Sequence, residues 1–140
     1  MPLIKSLALA TAALLVGLLP SCASVPSDAE RTASLAGRWV EIREFENERH
    51  EQIINLNKDG SFLVSGAKIE RGVVTPFTFS GIWEVRNGYF WYKTLSSQPA
   101  DFYPPGEEYK DRITSVAETG WVMLEESTGQ ESRAWRYPRR

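Results

Sequence analysis

The chain has 140 residues, 16 basic and 18 acidic side chains, a net charge of −2 and a single cysteine. This balance lacks the strong positive charge of a nucleic-acid-binding protein, so that class is excluded. One cysteine excludes a disulfide within the chain, so the fold must be held by its core.

The first segment, residues 1–21, has the composition of a secretory signal peptide. Lys5 precedes an apolar run without charges that extends from Leu7 to Leu19. A cationic start followed by such a run is typical of a secretory signal. The run is shorter than the about 20 apolar residues of a membrane-spanning helix. A short anchor helix that is never removed is the alternative.

Leu19-Pro20-Ser21-Cys22 ends this run and resembles the lipobox of bacterial lipoproteins. Leu19, Ser21 and Cys22 match that motif, and Pro20 is a less usual occupant. The resemblance implies cleavage before Cys22 and lipidation of Cys22 with palmitate-type acyl chains. Two or more such chains are sufficient for stable membrane attachment. Lipoproteins of this kind are retained in the inner membrane when an aspartate follows the lipidated cysteine. Here Ala23 follows it, so the resemblance implies that the protein is located at the periplasmic face of the outer membrane. In a Gram-positive organism the same signal implies the outer face of the cell membrane, and an inert thiol in a discarded peptide is the alternative.

The residues after the lipobox change in composition. Residues 22–35 are rich in Ser, Ala and polar groups and keep no hydrophobic period, which predicts a flexible tether. Residues 36–138 then form one domain of about one hundred residues. All Trp, Tyr and Phe side chains lie in this domain, so the core is expected there.

Within residues 36–138, short β-rich runs alternate with turn signals and no stretch keeps a helical period. Asp59-Gly60 and Asn87-Gly88 are strong hairpin turns, and further breaks fall at 118–120 and 127–130. The pattern predicts an all-β fold, an up-and-down meander of about eight antiparallel strands. Closure into a barrel would remove the exposed edges, and a half-open barrel is the alternative.

Two Gly-x-Trp tripeptides refine this prediction, one opening the first strand and one in the fourth. The first resembles the lipocalin-like superfamily, whose tryptophan plugs one barrel end beneath an arginine of the last strand. Arg133 and Arg136 are both candidates for that arginine, and Arg136 is favoured. With "DGSF" and "DRITSV", the likeness to small bacterial lipocalin-like domains covers most of residues 36–137. The implied structural residues of the barrel end are Gly37, Trp39, Gly81, Trp83 and Arg136.

No catalytic or metal-binding pattern stands out. His50 is the only histidine, and its surroundings, "ENERHEQ", predict a solvated turn between strands. Glu44, Glu46, Glu48 and Glu51 form an acidic stretch that is typical of a solvated loop. Metal sites need clustered His, Cys or carboxylates. We therefore expect no enzyme activity, no cofactor and no metal.

The longest irregular segment, residues 96–111, carries three prolines and several aromatic side chains. A loop of this length among tight turns is often functional. Its aromatics either cover the open end of the barrel or bind a partner. In "YFWYKTL", residues 89–95, large side chains compete for both faces of the strand. The candidate ligand- or partner-binding residues are Trp91, Tyr92, Phe102, Tyr103 and Tyr109.

These patterns predict an envelope-anchored lipoprotein that acts as a non-enzymatic binding module for a small apolar ligand or an envelope component. The alternative is a protein-interaction, accessory or inhibitor lipoprotein with a solid core and no small-molecule ligand. A filled barrel is favoured over a hollow one because many large aromatic side chains share a short chain.

Overall fold

The computed structural model describes residues 24–138, which form a closed barrel of eight antiparallel strands preceded by one short helix. The predicted all-β meander is confirmed, and within the described residues the barrel is closed rather than half-open. The elements in chain order are α1 (Asp28–Leu35), β1 (Gly37–Glu44), β2 (Glu48–Leu56), β3 (Ser61–Glu70), β4 (Val73–Arg86), β5 (Tyr89–Gln98), β6 (Glu108–Val116), β7 (Gly120–Glu125) and β8 (Glu131–Arg136).

Each strand pairs with the next, and β1 returns to β8 through the pair Trp39↔Arg136 and its two neighbours. We call one end of the barrel the helix end. It carries α1 and the turns at 57–60, 87–88 and 117–119. The opposite end, the mouth, carries the connections at 45–47, 71–72, 99–107 and 126–130.

The hairpin turns follow their local sequence. Asn87 and Gly88 both have positive φ, 53° and 78°, as the primed two-residue turns require. Arg71 and Gly72 form an equivalent turn, with φ of 50° and 79°, which the sequence analysis did not single out. The β3–β4 hairpin therefore runs from the pair Ser61↔Ile82 to the pair Glu70↔Val73 beside this turn.

The buried hydrophobic core fills the barrel from the helix end. Trp39 and Leu35 are fully buried, and the Trp39 indole nitrogen donates to the Leu35 carbonyl oxygen at 2.8 Å. Further core side chains come from alternate positions of most strands, as the period of a pleated sheet requires. They include Ile54, Leu56, Phe62, Val64, Phe77, Phe79, Trp83, Trp121, Met123 and Ala134.

The flexible tether predicted over residues 22–35 needs correction, because residues 28–35 form α1. Ser27 caps the helix: its hydroxyl accepts from the Glu30 amide at 3.2 Å, and the Glu30 carboxylate accepts from the Ser27 amide at 2.7 Å. The Asp28 carboxylate also accepts from the amides of Asn87 and Gly88, at 2.6 and 3.0 Å, which docks the helix on the barrel. These contacts join residues about 60 positions apart, so the local sequence does not reveal them.

The predicted signal peptide, residues 1–21, and the predicted lipidation site, Cys22, lie outside the described residues. Both stay predictions. Between residues 24 and 138, no helix combines the length and hydrophobicity needed to cross a bilayer.

Candidate functional site

At the helix end, the first Gly-x-Trp tripeptide lies beneath Arg136. The guanidinium carbon of Arg136 is 3.8 Å from the centroid of the Trp39 ring, which is a cation–π distance. Its nitrogens donate to the carbonyl oxygens of Ala36 and Ser34 at 3.0 and 3.1 Å. Gly37 has a φ of 138°, and a Cβ there would lie 2.3 Å from an Arg136 nitrogen. Glycine at this position therefore makes room for the arginine.

Arg133, the other candidate, is exposed and pairs with Glu131 at 2.5 Å.

The second tripeptide also packs at the helix end. A Cβ on Gly81 would lie 1.8 Å from the Lys93 carbonyl oxygen. The Trp83 indole nitrogen donates to a carbonyl oxygen of the β2–β3 turn at 3.1 Å. Both tripeptides thus close one end and leave the mouth to other residues.

A buried polar network lies inside the barrel on the mouth side. Glu41 is 1% exposed, and its carboxylate accepts hydrogen bonds from the Gln52 amide, the Ser132 hydroxyl and, at 2.8 Å, the Arg43 Nε. Burial lowers the pKa of Arg43, but the charge of the Glu41 carboxylate and its hydrogen bond raise that pKa by more. The guanidinium therefore stays charged, and the Glu41 charge is paired and hydrogen-bonded as a buried charge must be.

Asp111 lies at the edge of this network and is only 5% exposed. Its backbone pairs with β5 and β7 in the sheet, but its carboxylate makes neither a hydrogen bond nor an ion pair with any residue in the described part of the chain. Burial raises the pKa of Asp111 to about 7, the Arg43 charge opposes the rise, and the Glu125 and Glu41 carboxylates add to it. At neutral pH this carboxyl is therefore only partly ionised.

The interior cavity measures about 40 Å³. Its mouth side is polar, with Glu41, Arg43, Gln52 and Asp111, and the remainder is mostly apolar. Each buried water needs about 10–15 Å³ of such space, so the cavity accommodates only a few waters. The barrel is therefore filled, as the density of aromatic residues predicts.

The segment 99–107, which we call the lid, covers the mouth. Phe102 stacks on Phe77 with ring centroids 4.3 Å apart, and Tyr103 stacks on Phe79 at 4.2 Å. Both lid aromatics are half-buried. Of the two predicted roles for these residues, covering the open end is the one that their packing supports directly.

Tyr92 and Tyr109 lie beside the lid. Their ring centroids are 5.0 Å apart, and Tyr109 is 5.3 Å from Tyr103. Burial raises the pKa of Tyr92 well above its ordinary value and that of Tyr103 to about 12. The hydroxyls of these two residues are therefore neutral at physiological pH.

The competition between the two faces of β5 has a simple outcome. Phe90 and Tyr92 line the interior, whereas Trp91 lies on the outer surface between Arg86 and Lys110, at 4.3 and 5.2 Å. Four of the five candidate binding residues thus meet at the mouth, and Trp91 does not join them.

His50 is the clearest correction to the predicted surroundings. It is 8% exposed, its Nε2 lies 2.8 Å from a Glu48 carboxylate oxygen, and its ring packs against Phe45, Phe77 and Phe102. The solvated turn was wrong because β2 begins at Glu48 and alternation turns His50 inward. Residues 24–138 contain no group of three or more His, Cys, Asp or Glu side chains placed to hold a metal ion.

The sequence analysis missed the polar network altogether. One signal was available, because alternation from the buried Trp39 also places Glu41 and Arg43 inside β1. Charged residues at two successive inward positions are unusual unless they are paired. The missed residues of the mouth are Glu41, Arg43, Gln52, Asp111 and Ser132.

Comparison with known proteins adds to the fold and not to the site. No protein-family model matches the chain, and no curated protein matches it. Among solved structures, an uncharacterized protein from Bacteroides eggerthii DSM 20697 superposes with a TM-score of 0.51 at 14% identity. The match covers 73% of this chain and 98% of that one. At this identity the likeness shows a shared fold alone, a small closed barrel that is consistent with the lipocalin-like class.

Proposed function

We propose that the chain is an envelope-anchored lipoprotein whose barrel is a non-enzymatic binding module for a small ligand with an apolar body and a polar end. The observation that carries this proposal is the buried polar network beneath the aromatic lid. Replacing buried ion pairs by apolar side chains is often neutral or stabilising. A barrel selected for stability alone would therefore fill its mouth with apolar groups, as it fills its helix end.

The ligand's place follows from the volumes. The interior cavity is too small for an organic molecule, but two larger grooves lie on the barrel surface, and lid residues line one of them. One measures about 300 Å³ and reaches Tyr92, Tyr109 and Asp111. The other measures about 550 Å³ and runs along Phe77 and Phe102. A ligand lies in one of these grooves or displaces the lid aromatics from the mouth.

Native mass spectrometry of a secreted form that begins at Ser24 tests this proposal. We expect a co-purifying small molecule with the unaltered chain. Phe102→Ala should release a ligand of the 550 Å³ groove, which Phe102 lines, and Tyr109→Ala should release a ligand of the 300 Å³ groove, which Tyr109 lines. Trp135→Ala is the matched control, since Trp135 is 53% exposed on the outer surface. A bare chain in every case would contradict the proposal.

A second candidate function, a protein-interaction lipoprotein with a solid core, has its own support. Val73 and Val74, at the tip of the β3–β4 hairpin, are 65% and 62% exposed. Neighbouring exposed aliphatic groups of this kind are suited to contact with a partner. If this function holds, Val73→Ser with Val74→Ser abolishes cross-linking to one envelope protein, while Phe102→Ala leaves it unchanged.

A further inference from the structure

The 300 Å³ groove meets the interior of the barrel at Asp111. Asp111 lines both spaces, so its carboxyl is reached from solvent along the groove although it is 5% exposed. The stacked rings of Tyr92 and Tyr109 line the groove, and so does Glu125. The groove therefore leads from solvent to a buried acidic group between aromatic rings.

The charges along the groove are unequal. Its acidic side chains outnumber the single basic one, and all but one of them have a partner. Glu126 pairs with Lys110 at 2.7 Å, Glu125 lies 3.6 Å from Arg43, and Glu108 lies 3.8 Å from Arg86. Asp111 alone has no partner among the described residues, so the groove favours a cation.

A buried carboxyl without a hydrogen-bond donor costs stability, and a ligand that supplies the donor recovers that cost. Waters in the small cavity can donate to Asp111 but bring no positive charge. An anion is disfavoured, because Arg43 already pairs with Glu41 and Glu125. Aromatic faces such as those of Tyr92 and Tyr109 attract an ammonium group.

We propose that Asp111 binds the protonated amino group of a small organic amine whose apolar chain lies against Tyr92 and Tyr109. This inference rests on the proposed binding function and names the chemical class of its ligand. The ammonium group donates to the Asp111 carboxyl, and Glu125 supplies further negative charge at the entrance. The ammonium group, which is the end of the ligand nearest the barrel interior, lies at the polar side of the interior cavity.

Binding of the amine changes the protonation of Asp111. The charged and titratable groups that act on Asp111 are Arg43 and Glu41 from β1, Glu125 from β7 and Tyr92 from β5. In the empty site burial keeps the carboxyl partly protonated near neutral pH. An alkylammonium stays charged up to about pH 10, so it pairs with the carboxylate and releases that proton. The affinity for the amine therefore rises between about pH 6 and about pH 8.

Isothermal titration of the full chain in detergent with 1,4-diaminobutane tests the inference, and 1,4-butanediol is the neutral control ligand. We expect saturable binding of the diamine only. Asp111→Asn should weaken binding by about tenfold or more at pH 8 and remove the pH dependence. Glu118→Gln, at an exposed position of the β6–β7 turn at the helix end, makes the same change in net charge and should change the affinity by less than about twofold.

A second variant and a second amine complete the test. Tyr109→Leu keeps the carboxyl and should weaken the diamine by about threefold through loss of the aromatic face. The affinity for Nα-acetyl-lysine amide is compared with that for the diamine. Tighter binding of the lysine derivative indicates a lysine side chain as the source of the ammonium group, and tighter binding of the diamine indicates a free amine. Equal diamine affinity in Asp111→Asn, or none in the unaltered chain, overturns the inference. If a neutral molecule still co-purifies, the proposed binding function survives; if nothing binds, both fall.

Discussion

The Trp39 side chain connects β1 with three other elements, α1, β7 and β8. It is fully buried, donates to Leu35 at the end of α1, and meets Trp121 of β7 edge to face at 6.3 Å. Arg136 of β8 lies over its other side. One side chain of β1 thus connects the helix with the seam at which the barrel closes.

We expect Trp39→Ala to lower the free energy of unfolding by about 3–5 kcal/mol, the usual cost of emptying a buried aromatic site. Trp135→Ala, which removes an exposed indole from β8, should cost no more than about 0.5 kcal/mol. Urea denaturation followed by circular dichroism measures both. A loss below about 1 kcal/mol for Trp39→Ala would contradict the burial and the role of the tripeptide.

Asp111→Asn should stabilise the folded chain in a pH-dependent way. The pKa of Asp111 is about 7 in the fold, against about 3.9 in an unfolded chain. The folded state therefore holds the proton more tightly, and ionisation of Asp111 removes stability as the pH rises from about 4 to about 7. The advantage of the variant should grow over this range, by up to about 4 kcal/mol, and then level off. Melting curves with the same difference at every pH would rule this out.

At the scale of elements, α1 shows how a short helix is held. Eight residues are too few for a stable isolated helix, so α1 depends on its cap and its docking. Leu35 provides the buried contact, and Asp28 binds the β4–β5 turn through two backbone amides. The hydrogen bonds from Asn87 and Gly88 also lower the pKa of Asp28, so the carboxylate is charged at neutral pH.

Ser27→Ala should cost about 1 kcal/mol of stability, because it removes the side-chain half of the capping box. Ser34→Ala changes an exposed position near the end of the same helix and should cost nothing, since alanine is the better helix former. Thermal unfolding of the two variants at neutral pH compares them. Equal losses would mean that the cap has no special part in docking the helix.

The strands were predictable from sequence because their signals are local. Asp59-Gly60 and Asn87-Gly88 each mark a hairpin turn within two residues. The alternation of apolar and polar side chains then predicts the strands on either side. The helix α1 was not predictable from its local sequence, because its docking partners lie in the β4–β5 turn. The candidate site divides in the same way. The lid aromatics were predictable, because they stand close together in one irregular segment of the sequence. The polar network is assembled only by register, which pairs Glu41 with Gln52 on β2 and with Ala134 on β8.

At the scale of the whole molecule, the two ends of the barrel differ in chemistry. The helix end is sealed by Trp39, Trp83 and Arg136, whereas the mouth keeps buried charge under a lid that rests on Phe77 and Phe79. The helix end therefore combines an apolar core with a cation–π contact, whereas the mouth combines aromatic side chains with buried polar groups. If the mouth binds a ligand as proposed, this division would allow exchange of the ligand without opening the helix end.

The proposed anchoring applies to the molecule as a unit and rests on one thiol. Cys22→Ser should abolish metabolic labelling with palmitate and move the protein out of the membrane fraction, because the chain has no other cysteine. Ser21→Ala keeps a small residue beside the cysteine and should retain both label and location. Label that survives Cys22→Ser would show that the lipid is attached elsewhere.

The start of α1 has a consequence for what the anchored barrel can reach. Only residues 23–27 separate Cys22 from the helix, and five residues span at most about 18 Å. Because α1 docks at the helix end, a lipid on Cys22 holds that end near the bilayer and directs the mouth toward the aqueous space. With both proposals in place, the anchored barrel would present its binding groove to water-borne molecules and not to the acyl chains of the membrane that holds it.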